Sequence, residues 1–70
     1  MTVVLINGER RELPDEATVE TAVEVIGGPE SGRGVAVALD GEVVPRGMWS
    51  STALGEGQRL EVLHAVQGGA

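Results

Sequence analysis

The chain closes on Gly68-Gly69-Ala70, only one residue after a strand-like run, Arg59-Leu-Glu-Val-Leu-His-Ala-Val66. Two successive residues without side chains pass through a channel too narrow for anything bulkier, so the C-terminus could itself be the reactive group of a protein handed between enzymes. The tail alone leaves a second reading open, an end with no chemistry. The other candidates are weaker. Gly32 and Gly34 flank Arg33 as a phosphate nest would require, yet the longer glycine-rich fingerprint is missing and no helix opens there, which leaves an ordinary loop. Asp15, Glu16 and Asp40 fall in turn signals, at no spacing that sets a general acid against a base. His64 lies in the last strand beside the tail, where it either touches a partner or serves the fold. One histidine builds no metal site alone, and the absence of cysteine removes disulfides, thiolate ligands and any side-chain sulfur nucleophile. If this molecule handles sulfur, it does so on its backbone.

Seventy residues make one small domain, with room for a modest core and little for an enclosed active site. Five basic residues, all arginine, stand against 11 acidic ones, giving a formal charge of -6. Such a field opposes non-specific binding to nucleic acid or anionic membranes and favours a basic protein partner. Without lysine the chain offers no side-chain amine for a Schiff base or an isopeptide bond. No apolar run approaches the length of a membrane span, and the pattern of a signal peptide is missing, so the expected location is the cytoplasm.

The elements that must hold the tail are legible from turns and periodicity. Thr2 to Ile6 is β-rich and runs into Asn7-Gly8, a type I′ hairpin signal, with a return strand over Glu9 to Leu13 ended by Pro14-Asp15. Thr18 can cap a helix on which Val19, Ala22, Val23 and Ile26 share one face, Glu20 and Glu24 face outward, and Gly27-Gly28-Pro29 terminates. Val35 to Leu39 is a third strand, Asp40-Gly41 a second hairpin turn, and Glu42 to Val44 a short strand stopped by Pro45. Residues 46–57 read as irregular with one helical turn near Met48 to Ser51, and Trp49 as a core or rim anchor whose indole N–H must find a carbonyl or water. The expected fold is α+β, a β-grasp roll of four or five strands in a mixed sheet packed on one helix, with the last strand central beside the first. Residues 1–66 form the expected single domain and 67–70 its flexible tail.

Alternation along the strands places Val4, Ile6, Ala36, Ala38, Leu63 and Ala65 opposite the expected core, as an apolar partner-binding patch flanked by acids. In that expectation the patch supplies affinity and the tail supplies reactivity.

Ile6-Asn7-Gly8-Glu9, the stretch Val35-Ala-Val-Ala-Leu-Asp-Gly-Glu-Val-Val-Pro-Arg46 with Trp49 after it, and above all Gly57-Gln-Arg-Leu-Glu-Val-Leu-His-Ala-Val-Gln-Gly-Gly69 resemble the bacterial sulfur carrier proteins of thiamine thiazole biosynthesis, over essentially the whole chain. The resemblance implies a ubiquitin-like fold and a protein substrate rather than an enzyme. It implies that an ATP-dependent activating enzyme adenylates the Gly69 carboxylate, that a thiocarboxylate replaces it, and that thiazole synthase takes the sulfur. Gln67 and Gly68 would form the slender approach to Gly69. ATP and magnesium would belong to the activating enzyme, with no cofactor bound by this chain. Ala70 departs from the family pattern, which ends at the second glycine: either a peptidase trims it, or it is foreign to the native chain, or the carrier's terminus has been altered and Ala70 itself is adenylated, and trimming is the favoured expectation. Related carriers serve molybdopterin, cysteine or sulfur-containing secondary metabolites, and a non-covalent ubiquitin-like module is the reading from another class.

Overall fold

Two tight turns organise the sheet. Asn7 and Gly8 have φ of 52° and 84°, and Asp40 and Gly41 have 49° and 89°, the paired left-handed conformations that a two-residue type I′ hairpin requires. The first turn joins β1 (Thr2–Ile6) to β2 (Glu9–Leu13), and the second joins β3 (Val35–Leu39) to β4 (Glu42–Val44). The computed structural model describes residues 1–27 and 34–64. Gly32 and Arg33 of the Gly32-Arg33-Gly34 loop, and the residues Ala65 and Gln67 to Ala70 of the expected patch and tail, therefore lie outside the described residues.

Between the hairpins runs helix α1 (Val19–Gly27). Thr18 caps it reciprocally with Thr21: the Thr21 amide donates to Thr18 Oγ1 at 3.4 Å, and the Thr18 amide donates to Thr21 Oγ1 at 3.2 Å. This is the geometry of a capping box with threonine in place of the usual Glu. The Val19 amide, which no intrahelical carbonyl can reach, donates to Thr52 O at 3.0 Å, tying the start of the helix to the loop after a 3-10 helix over Arg46–Ser51. β5 (Arg59–His64) completes the fold.

The strands form one mixed sheet in the order β2-β1-β5-β3-β4. β5 runs parallel to β1, pairing Leu5 with Arg59 and Ile6 with Leu60, and antiparallel to β3 from Val35↔His64 to Leu39↔Leu60. The last strand is central, as a β-grasp requires. α1 lays Val19, Ala22 and Val23 on the inner face of the sheet, where Val4, Ile6, Leu13, Val37, Leu60 and Val62 are buried. Trp49 closes this core from the 3-10 helix, and its indole N–H donates to Val44 O at 2.9 Å.

Two strand-one residues depart from the sequence expectation. Val4 and Ile6, assigned to the partner-binding patch, are 0% and 3% exposed and belong to the core. The hairpin register gives the reason: Thr2 stands opposite Leu13, Val4 opposite Arg11 and Ile6 opposite Glu9, so the only leucine of β2 shares their face, and burying Leu13 turns that face inward. Val3 and Leu5 take the outer face and are half-buried.

Candidate functional site

The strand that leads to the tail is fixed by side chains borrowed from both hairpin turns. At its start, Asp40 accepts from the Arg59 amide with Oδ1 at 3.0 Å and from Gln58 Nε2 with Oδ2 at 3.0 Å. These bonds, the backbone one foremost, hold the Asp40 carboxyl below its usual value, since both favour the charged form. Gln58 Oε1 in turn accepts from the Gly55 amide at 2.6 Å. Further along, the β1 backbone can no longer follow, because the chain turns away at Asn7. The Asn7 side chain replaces it: Nδ2 donates to Val62 O at 3.2 Å, and the Val62 amide donates to Oδ1 at 2.9 Å. A carboxamide carries one acceptor and one donor in the arrangement of a peptide group, so the sheet gains a further rung without further strand.

This anchorage leaves an outer sheet face uncovered among the described residues. Leu63 is 66% exposed and stands opposite exposed Ala36; Ala38, half-buried, lies between Glu61 and Val43, which is 76% exposed. Leu5 lies in the row that joins Arg10 on β2 to Arg59 on β5. An open groove of about 580 Å3 runs over this face, lined by Leu5, Arg59, Glu61 and Leu63 and by the Asn7-Gly8 turn. Of the sequence-assigned patch, the structure thus brings together Ala36, Ala38 and Leu63, and removes Val4 and Ile6 to the core. Ala65 and the tail residues Gln67, Gly68, Gly69 and Ala70 are outside the described residues. Leu5, Val43, Arg10 and Arg59 were missed. The two-residue turn fixes which β1 residues oppose β2, and that register was the signal available for Leu5 and Arg10.

An open and largely apolar face of this kind can hold a protein surface. No grouping of three or more His, Asp or Glu that could hold a metal occurs among the described residues. No buried side-chain polar atom among them lacks a hydrogen-bond partner. Among the described residues, no helix is long and apolar enough to cross a membrane.

Comparison with known proteins gives three likenesses. The model of the ThiS family matches residues 4–69. A thiazole synthase from Paramagnetospirillum magneticum is 33% identical over 66 residues, 94% of this chain, and the chain spans only 20% of that relative's length. The crystal structure of the thiamine biosynthesis protein ThiS from Geobacter metallireducens superposes with a TM-score of 0.78 at 22% identity, covering 96% of this chain and 99% of that one, a likeness of fold.

Proposed function

The chain belongs to the ThiS family, and on that premise we propose that it carries sulfur on its own C-terminus, as a thiocarboxylate of Gly69 used to build the thiazole of thiamine. The observation that carries the reading is the reach of the family match, which runs from residue 4 through Gly68 and Gly69 and stops before Ala70. The chain acts as a protein substrate, and the reacting groups come from its partners.

The chemistry divides into two displacements. A carboxylate is a poor electrophile because its leaving group would be oxide. One Gly69 carboxylate oxygen attacks the α-phosphorus of ATP and expels pyrophosphate, which leaves an acyl-adenylate. Sulfur at the oxidation level of sulfide then adds to the carbonyl carbon and AMP departs with the electron pair of the broken C–O bond. The product has a nucleophilic sulfur with no cysteine in the chain. While Ala70 is attached, the Gly69 carbonyl belongs to an amide and offers no carboxylate oxygen, so hydrolysis of the Gly69–Ala70 bond by a peptidase comes first.

Docking falls to the outer sheet face, with Leu63, Ala36 and Ala38 from the sequence expectation and Leu5 and Val43 added. The partners are an ATP-dependent activating enzyme and thiazole synthase. The thiazole synthase that resembles this chain over a fifth of its own length supports the second.

The test compares the 70-residue chain with a chain ending at Gly69, each incubated with the activating enzyme of the same genome, ATP and sulfide. The shorter chain is expected to gain the mass difference of one oxygen replaced by one sulfur. The longer one should react only after losing alanine, because displacing the terminal carboxylate by one residue misplaces the attacking oxygen. If neither form exchanges oxygen for sulfur, the carrier reading fails.

A further inference from the structure

One row of the outer face is opposite in sign to the protein that bears it. Arg10 and Arg59 stand on either side of Leu5 in one cross-strand row, Arg10 paired with it in the β1–β2 hairpin and Arg59 in the parallel β1–β5 ladder. Both arginines are exposed, and neither makes an ion pair among the described residues. Acids adjoin both without pairing to either: Glu12 lies two residues along the same face from Arg10, Glu61 two residues along it from Arg59, and Asp40, whose carboxyl feels the Arg59 charge, directs its oxygens to the Arg59 amide and Gln58 Nε2. Arg11, by contrast, lies 3.6 Å from Glu9, and Arg46 lies over the Trp49 ring. Arg59 lines the open groove together with Leu5 and Leu63, and Arg10 stands on the other side of Leu5.

We propose that Arg10 and Arg59 form an orientation key on the docking face: they receive a carboxylate of the activating enzyme, set beside an apolar side chain that enters the groove over Leu5 and Leu63. This rests on the carrier reading given above and adds the chemistry of the partner's surface. Over long distances a chain of charge -6 is drawn to a basic surface, and that attraction alone leaves many rotations of the carrier about equally favourable. A single acid within that basic surface is repelled by most of the carrier and accepted only between the two guanidinium groups. Complementarity of this local sign fixes register, and like-charge contact excludes the alternatives. With rotation fixed, β5 points in one direction and the tail enters the adenylation site from one side.

The prediction has a sign that general electrostatics reverses. Removing two positive charges makes the carrier more acidic and, against a basic partner, should strengthen binding wherever the charges are removed. The key requires the opposite at one pair of positions. The full chain, its Arg10→Gln/Arg59→Gln variant and its Arg11→Gln/Arg46→Gln variant, the two variants having equal net charge, are titrated calorimetrically against the activating enzyme at one ionic strength, after thermal melts establish folding. The first variant is expected to bind about tenfold or more weakly, the loss of roughly one well-placed charge-assisted contact. The second should bind at least as tightly as the unaltered chain. Equal or tighter binding of the Arg10/Arg59 variant overturns the key, while sulfur transfer to the chain ending at Gly69 would leave the carrier reading standing. If the unaltered chain does not dock and the chain ending at Gly69 gains no sulfur, both fall together, and these two controls identify that case.

Discussion

Replacing Asn7 tests whether a side chain serves as the last rung between β1 and β5. Its carboxamide makes two part-buried hydrogen bonds to Val62, one through each backbone group. At a net value of about 1 kcal/mol each, the pair contributes roughly 2 kcal/mol. Asn7 also holds φ at 52°, where alanine costs about 1–2 kcal/mol more than glycine would. Asn7→Ala should therefore lose about 3–4 kcal/mol, and Asn7→Gly, which keeps the turn and loses only the bonds, about 2–3 kcal/mol with its greater freedom when unfolded. A domain of this length has a total stability of about 3.5–10 kcal/mol, so either change removes a large share. Urea unfolding at low temperature measures both, and amide exchange at Val62 should quicken while the amide of residue 7, which donates to Leu60 O at 2.9 Å, is less affected. An Asn7→Gly variant within about 0.5 kcal/mol of the unaltered chain would refute the reasoning, because two satisfied bonds at a part-buried seam would then be worth nothing.

Leu63→Asp should change unfolding free energy by no more than about 0.5 kcal/mol, its site being 66% exposed, yet weaken docking to the activating enzyme about tenfold or more in the same calorimetric titration. Trp49→Phe leaves Val44 O without its donor and a small void in the core, a loss of about 2–3 kcal/mol readable from chemical denaturation. Asp40 has a folded pKa below its unfolded one, so its stabilisation is complete above the unfolded value and is lost as pH falls through the folded value. Stability measured from about pH 6 down to about pH 3 should fall less steeply in Asp40→Asn, which keeps an oxygen acceptor for the Arg59 amide and tolerates the turn.

The hairpins were readable because Asn-Gly and Asp-Gly meet a local steric demand that needs no knowledge of the rest of the chain. The helix was readable for a similar reason: Val19, Ala22 and Val23 fall on one face, and all three are buried. The facing of β1 was not, since Val3, Val4, Leu5 and Ile6 are all apolar and alternation carries no information there. Leu13, reached through the turn register, decides it. The 3-10 helix proved longer than the single turn expected near Met48 to Ser51, beginning at Arg46 directly after Pro45, whose Cα geometry is extended at φ -60° and ψ 147°. The Asn7 bonds to Val62 join residues 55 apart in sequence, and no local pattern announces such a pair. The same holds for the arginine row, which exists only once β5 has been placed beside β1.

The parallel pairing of β1 with β5 also determines how the domain bears a mechanical load. Tension applied between the start of β1 and the end of β5 acts along both strands in opposite directions, so it slides them past one another and does not peel them apart. Val3 O with the Gly57 amide, the Leu5 amide with Gln58 O, the Asn7 amide with Leu60 O and the two Asn7 side-chain bonds then share the force and must fail nearly together. Forced unfolding is governed by the unfolding rate, and a shear arrangement raises the barrier that sets it. A pull on the end of β5 is therefore borne by the whole seam at once, and not rung by rung.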